Sequence, residues 1–343
     1  MDWQGPDILA MLVEMGLFPP AADQRGLGAV FISSWSKRAR IGAFGLTVSL
    51  CLGAASCSNT QGATTRSSAP ITDISRLVNV DGHKVFLQCK GYGSPTVVLI
   101  SGAGVSSNNW DYVGDPANTK DPPKKSPKAV EPRLAMATRV CAYDRPGTTG
   151  FDDVPTRSTP VSQPTTAQGD AQRLHDLLLA ANVPRPYLLV AHSWGGFIAT
   201  TYSRLYPSQV VGMVLIDPGS AYLQTVLPAD VWSTWMQSIA SYGTEHPGVE
   251  QPDYPASIAF LSTLPPAPEI PTIVLTSDKP IDFLGIGDAP KYHPGWVQAQ
   301  ALLAQSLGGT QITNTHSGHF IQAENPELVI EQVEHVIAEL RHP

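Results

Sequence analysis

A serine set between an apolar run and a pair of glycines has the clearest chemical meaning in this chain. Leu188-Leu-Val-Ala-His-Ser-Trp-Gly-Gly196 reads as a buried strand that turns sharply into a helix at Ser193. Such a turn needs small residues two before and two after the serine, and Ala191 and Gly195 stand there. The turn lifts the hydroxyl clear of the backbone and aims a helix amino terminus at it, where charge developing in acyl transfer is stabilised. The competing reading is an inert serine opening a helix. The strand before it and the helix after it favour a nucleophile.

A nucleophilic serine needs a base, and the base needs a third group to orient it. His319, in Ser317-Gly-His-Phe320, falls in a loop between the last strand-like and last helix-like segments, where it can swing over neighbouring strand ends. It completes the chain order serine, acid, histidine. His316 precedes the flexible Gly318 and reads as a strand-end or surface residue, and His192 must point away from its neighbour Ser193. The acid stays open: Asp217 follows Val211–Ile216, Asp278 follows Thr272–Thr276, and Asp282 is a little beyond. Each also fits an ordinary turn carboxylate. The other histidines, His83, His175, His246, His293, His335 and His342, show no ligand spacing, so neither a metal nor a cofactor is expected.

These groups must be held by a framework, and its elements are legible. Arg76–Val80 and Lys84–Cys89 flank Asp81-Gly82, a hairpin signal. Thr96–Ile100, Arg139–Tyr143, Tyr187–Ala191, Val211–Ile216, Thr272–Thr276 and Gln311–Thr315 read as further strands. A capping pair, Thr165 with Gln168, opens a helix carrying Leu174, Leu177, Leu178 and Ala181 at helical spacing. Phe197–Tyr206 continues as helix, and Asn325-Pro326 opens a closing helix through Leu340. Strands alternating with helices imply an α/β fold, a mostly parallel sheet covered on both faces. The stretch 220–268 breaks that rhythm and reads as a cap between the strands ending near Ile216 and Thr276; its Trp and Tyr content fits packing better than a ligand box. Asp115–Pro132 reads as a solvated loop.

The chain of 343 residues is 42% hydrophobic and 15% charged, enough for one sizeable core, with a formal net charge of -7. Its 22 Lys and Arg are scattered, so no nucleic-acid surface is expected. Lys37-Arg38-Ala39-Arg40 precedes an uncharged apolar run, Ile41–Ala55, too short for a comfortable membrane span, and the pattern reads as an export signal. Ala54-Ala-Ser-Cys57 is similar to a bacterial lipoprotein processing box, which makes Cys57 a candidate for lipidation and membrane attachment. Ala54 stands where Leu is usual, so export is the firmer expectation. Either translation starts after Met1, or Met1–Ser36 is a separate extension. The expected organisation is therefore residues 1–57 as extension and signal, 58–70 as tether, and 71–343 as the folded domain.

Taken together, Ser101-Gly-Ala-Gly104 with Trp110, Tyr143-Asp-Arg-Pro-Gly147, Ala191-His-Ser-Trp-Gly195, Leu215-Ile-Asp-Pro218 and Gly318-His-Phe-Ile-Gln322 with Asn325-Pro-Glu resemble the α/β-hydrolase superfamily. Within it the chain looks like secreted bacterial esterase-like members related to proline iminopeptidases and haloperoxidase-type hydrolases. The likeness covers about Leu77–Leu340 and says little of the substrate. It implies an oxyanion hole made by the backbone N–H groups of Ala103 and Trp194, worth roughly 3 kcal/mol of transition-state stabilisation per donor. Ser101, Gly102, Gly104, His192 and Gly195 would support it, with Ser101 replacing the family's usual His. The family mostly places its acid after the strand that here is Thr272–Thr276, in a Gly-x-x-Asp context whose last position is filled by Pro280. Some members use the preceding strand, so Asp217 is preferred and Asp278 kept as the alternative. The family's strand order also sets Cys89 beside Cys141, allowing a disulfide in an oxidising compartment, and Asp144 with Arg145 reads as a structural ion pair.

The resemblance implies a small-molecule ester or acyl substrate cleaved through an acyl-enzyme, and no protein partner is expected. A serine argues against the epoxide-hydrolase and haloalkane-dehalogenase branches, which rely on Asp at that position. An aminopeptidase of the proline iminopeptidase type would need carboxylates to hold a free amino terminus, and Glu245, Glu250 and Asp253 are the candidates. A catalytically silent binding protein on the same scaffold is the third reading.

Overall fold

Strands β1 (Ile74–Val80) and β2 (His83–Lys90) pair antiparallel with Val80 opposite His83, so Asp81 and Gly82 alone make the turn. Both have positive φ, 48° and 84°, as a two-residue turn matched to strand twist requires. The computed structural model describes residues 73–280 and 289–341. The export-like segment, Cys57, the tether and Asp282 lie outside the described residues.

The remaining strands of the main sheet are β3 (Thr96–Ile100), β4 (Val140–Asp144), β5 (Tyr187–His192), β6 (Val210–Ile216), β7 (Thr272–Leu275) and β8 (Thr310–Ile312). They form one eight-stranded sheet in the order β1-β2-β4-β3-β5-β6-β7-β8. β2 meets β4 antiparallel, and every pairing from β4 to β8 is parallel. The helices are α1 (Val130–Leu134), α2 (Ala167–Ala180), α3 (Trp194–Leu205), α4 (Leu223–Val226), α5 (Ala229–Glu245), α6 (Tyr254–Leu261), α7 (Ala289–Ser306), α8 (Ile321–Glu324) and α9 (Pro326–Arg341). Helices α4, α5 and α6 form the cap inserted between β6 and β7.

Strand alternation explains why both faces are covered. Val98, Ile100, Leu189, Ala191 and Leu215 pack with α2, α3, the cap and α7, while Val97, Leu99, Leu188, Val190 and Val214 pack with α1 and α9. From β3 the chain moves to one side to form β4 and to the other to form β5. Ligands of open α/β sheets bind at such a reversal, outside the carboxyl ends of the strands. Here Ile100 lies beside Ala191 and Ile216 beside His192, so the loops after β3, β5 and β6 converge.

Three local expectations shift. The stretch Asp115–Pro132, read as a solvated loop, is buried at its end, where Ala129, Val130 and Glu131 pack inward as α1 begins. The cap of α2 is Thr166, whose hydroxyl accepts from Gly169 N–H at 3.1 Å, while Thr165 donates to Asp170. β8 ends at Ile312 rather than Thr315, because Thr315 turns away to give its hydroxyl to the Thr276 carbonyl. The cap aromatics Trp232, Trp235 and Tyr254 are buried against one another and, through Tyr254, against Trp194 and Phe197 of α3. They build core.

Cys89 and Cys141 face each other across β2 and β4 and form a disulfide closing a separation of 52 residues. A loop of that size should contribute up to about 4 kcal/mol by restricting the unfolded chain. The Cys89→Ala/Cys141→Ala protein should melt about 10 °C lower than the oxidised wild type in calorimetry, and reductant should lower only the wild type.

Beside these strands, Glu131 of α1 is wholly buried, accepting from Gln88 Nε2 at 2.7 Å with Lys90 Nζ at 3.3 Å. Burial, then the nearby Asp111 charge, pushes its carboxyl up to about 8. The folded state then holds a proton that the unfolded state has released, so Glu131 makes stability fall as pH rises from the usual carboxylate range towards 8. Melting temperatures recorded from pH 5 to 8.5 should decline more steeply for wild type than for Glu131→Gln.

Candidate active site

Ser193 stands between β5 and α3 with φ 53° and ψ -119°, a conformation that costs a non-glycine residue energy and persists because its surroundings impose it. Its N–H donates to the Ile216 carbonyl at 3.0 Å, and its carbonyl accepts from Gly196 and Gly219. The crowding expected at this turn is present. A Cβ on Gly195 would lie 2.4 Å from the Ile100 carbonyl oxygen, and one on Gly102 would lie 2.8 Å from His192 Nδ1 and 3.1 Å from Ser193 Cβ. The loop after β3 therefore rests directly on the serine turn.

His319 and Asp217 meet at the same edge. Nδ1–H of His319 donates to Asp217 Oδ2 at 2.7 Å, and His319 Nε2 is buried with no hydrogen-bond partner among the described residues. The other Asp217 oxygen, Oδ1, accepts at 2.9 Å from each of Ser277 N–H, Trp296 Nε1–H and Gln300 Nε2–H. Burial opposes charge on this fully enclosed carboxyl, but the hydrogen bond and charge of His319, with the Ser277 and Trp296 donors, hold it below the ordinary carboxylate range. Asp217 is thus an ionised acceptor with one oxygen fixed in place and the other given to the histidine. Its own φ is 40°, a second strained non-glycine position at this strand edge.

Asp278 does something else. Its two oxygens accept from the backbone N–H groups of His316 at 2.9 Å and Ser317 at 3.0 Å, bracing the loop that carries His319. Glu324 accepts from Gly318 N–H, and Asn325 Nδ2 donates to the Thr315 carbonyl at 2.9 Å. His316 is exposed and near Asp278, away from Asp217. His192 Nε2–H donates to the His319 carbonyl at 2.9 Å, and its ring lies against those of His319 and Phe320. Burial, then the neighbouring His319, lowers its pKa well below the ordinary value, so it stays neutral and braces the same loop.

The loop from Ser101 to Gly104 is held by partners the sequence did not disclose. The Ser101 hydroxyl accepts from Asn109 Nδ2 at 2.8 Å and Trp110 Nε1 at 3.0 Å, and donates to the Ser106 carbonyl. Arg145 donates to the carbonyls of Ser101 and Gly102 and pairs with both oxygens of Glu250, one of which also accepts from Gly104 N–H at 2.7 Å. Burial alone would strip charge from Arg145; Glu250 more than offsets this and holds the guanidinium above its ordinary range. The expected Asp144–Arg145 pair is corrected: Asp144 accepts from Ser107 and Thr156, while Arg145 turns to the cap residue Glu250. The consequence is that the Ser101–Gly104 loop is tied to the cap. Neither Ala103 N–H nor Trp194 N–H has an acceptor among the described residues, although both residues are buried.

The carboxylates considered for holding a free amino terminus do not gather. Glu250 is spent on Arg145, Asp253 caps α6 by accepting from Ala256 N–H, and Glu245 is exposed at the end of α5. Among the described residues there is no group of His, Cys, Asp and Glu able to hold a metal ion.

A model of the alpha/beta hydrolase family matches residues 97–332, and the chain belongs to that family. An uncharacterized protein of Schizosaccharomyces pombe is 30% identical over 148 residues, 40% of this chain and 26% of its own length. The (Lyso)-N-acylphosphatidylethanolamine lipase of Mus musculus is 39% identical over 56 residues, 16% of each chain. The first curated relatives are thus matched over about half of their length or less. Among solved structures, the carboxylesterase CesB of Bacillus subtilis has TM-score 0.51 at 15% identity, covering 79% of this chain and 93% of that one. Est816, described as an N-acyl homoserine lactone degrading enzyme, has TM-score 0.51 at 16% identity over 76% and 99%. These likenesses establish the fold. Proteins named as esterases or lipases stand among its relatives and structural neighbours.

Proposed function

We propose that this protein is a serine hydrolase that cleaves carboxylic esters through an acyl-enzyme, with Ser193 as nucleophile, His319 as base and Asp217 as the acid that orients it. The carrying observation is the fixed Asp217–His319 pair, whose bare Nε2 shares the strand edge with the Ser193 turn. In this reading Ser193 Oγ bonds to the ester carbonyl carbon while its proton passes to His319 Nε2. The carbonyl electrons move to the oxygen, which takes hydrogen bonds from the N–H groups of Ala103 and Trp194. Collapse of the tetrahedral adduct expels the alkoxide, which leaves with the proton held on Nε2. Water then attacks the acyl-enzyme, gives its proton to Nε2, and the regenerated serine hydroxyl recovers it as the carboxylic acid departs. Asp217 stays ionised throughout and fixes the tautomer in which Nδ1 carries hydrogen.

The same reading places the protein in an exported, oxidising setting. The pattern from Lys37 to Ala55 and the Cys89–Cys141 disulfide support that, and Cys57 is the proposed lipid attachment point. An aminopeptidase reading is left without its carboxylate cluster.

Fluorophosphonate labelling tests the central claim. Wild type should label stoichiometrically and hydrolyse short p-nitrophenyl esters, and Ser193→Ala should lose both, with kcat down by about 10^6-fold. A folded wild type that neither labels nor turns over esters would instead make it a binding protein on this scaffold.

A further inference from the structure

A cavity of about 300 Å³ lies between α3, the start of the cap, α6 and the end of α7, and neither Ser193, Asp217 nor His319 lines it. Its walls include Phe197, Ile258, Leu261 and Leu303, with Tyr222 at one side. Arg204, on the last turn of α3, also lines it, and no acidic residue does. Among the described residues Arg204 has no ion-pair partner. Its one hydrogen bond is a long 3.5 Å contact from Nη1 to the Leu261 carbonyl, and its Nε is buried without an acceptor. A guanidinium partly removed from water with its donors unspent is an unfavourable arrangement that a bound anion would relieve. Burial lowers its pKa, in keeping with that strain.

We propose that this cavity binds a singly charged carboxylate with an apolar tail, the chemical class of a fatty acid, with its head on Arg204 and its tail against Phe197, Ile258, Leu261 and Leu303. One cation with no second Lys or Arg in the lining matches one negative charge. Apolar walls on three elements exclude a small hydrated anion as the best fit. The cavity also touches Gly219, whose N–H donates to the Ser193 carbonyl at 3.1 Å, so its occupant abuts the backbone of the nucleophile turn without reaching the reacting atoms. If the esterase reading holds, the acid it releases belongs to the class this site takes. The binding itself does not depend on that reading.

Octanoate titrated by calorimetry into the full-chain protein tests the site. Wild type and Ser193→Ala should bind it equally. Arg204→Gln should weaken it by at least tenfold, and 1-octanol should bind wild type at least tenfold more weakly than octanoate. Ser306→Trp, at the exposed rim of the cavity, should also block octanoate, which covers the case of an Arg204 variant that folds poorly. Octanoate that fails to bind wild type, binds both variants unchanged, or is matched by 1-octanol would overturn the proposal. Loss of octanoate binding on covalent labelling of Ser193, with Arg204→Gln unaffected, would assign the ligand to the catalytic site instead.

Discussion

Asp217→Asn is expected to lower kcat for ester hydrolysis by about 10^4-fold with KM little changed and the fold intact. The amide can still accept at Oδ1 from Ser277, Trp296 and Gln300, so the packing around it survives. What changes is the atom facing His319. An amide NH2 there presents hydrogen where Nδ1–H needs an acceptor, so the imidazole flips tautomer or turns, and Nε2 no longer stands ready for the serine proton. Asp278→Asn is the matched control. Asp278 accepts from two backbone N–H groups of the histidine loop rather than from the ring, so the loss should stay within about tenfold. Steady-state kinetics on the two variants, with circular dichroism as the check on folding, decides between the acids. A larger loss in the Asp278 variant would reverse the assignment.

Glu250→Ala should produce the second large effect, and it should appear in stability as well as rate. Removing the carboxylate leaves Arg145, only 2% exposed, as an uncompensated buried charge, a defect that costs about 3–5 kcal/mol. It also removes the acceptor of Gly104 N–H, next to Ala103. The loop should then loosen where the proposed oxyanion donor sits, and kcat should fall by about 10^2-fold, approaching the loss of one oxyanion donor. Glu250→Gln keeps the shape but not the charge, and its NH2 must face one of the N–H groups that the carboxylate accepts from, so it should recover only part of the stability and part of the rate. Thermal melts set beside kcat values would show it; equal kcat in all three proteins would mean the clamp has no part in catalysis.

Much of the framework was legible because its signals are local. A two-residue Asp-Gly turn, apolar runs ending at loops, a proline opening the last helix and a serine among small residues each follow from backbone sterics within a few residues. The boundary misses, one residue at the cap of α2 and three at the end of β8, arise where a side chain had two partners to choose from.

The site was legible only in part. Ser193 and His319 stand out as candidates from their own neighbours, and no local signal separated Asp217 from Asp278, since both follow strands and precede turns. The choice lies in the fold: Trp296 and Gln300, about 80 residues further along the chain, turn their donors onto Asp217, whereas the backbone of residues 316–317 takes up Asp278. Arg145 likewise sits beside Asp144 in sequence yet pairs with Glu250 across 105 positions.

By itself, then, the sequence determined most of the elements, the family resemblance and the sharp turn at Ser193, because those depend on short-range sterics and periodicity. The tertiary structure alone decided which carboxylate meets the histidine, what braces the loop after β3, and that Arg204 faces a cavity with no counter-ion among the described residues. Those are questions of partner choice among equivalent charged groups, and only the packing of distant segments removes the alternatives from reach.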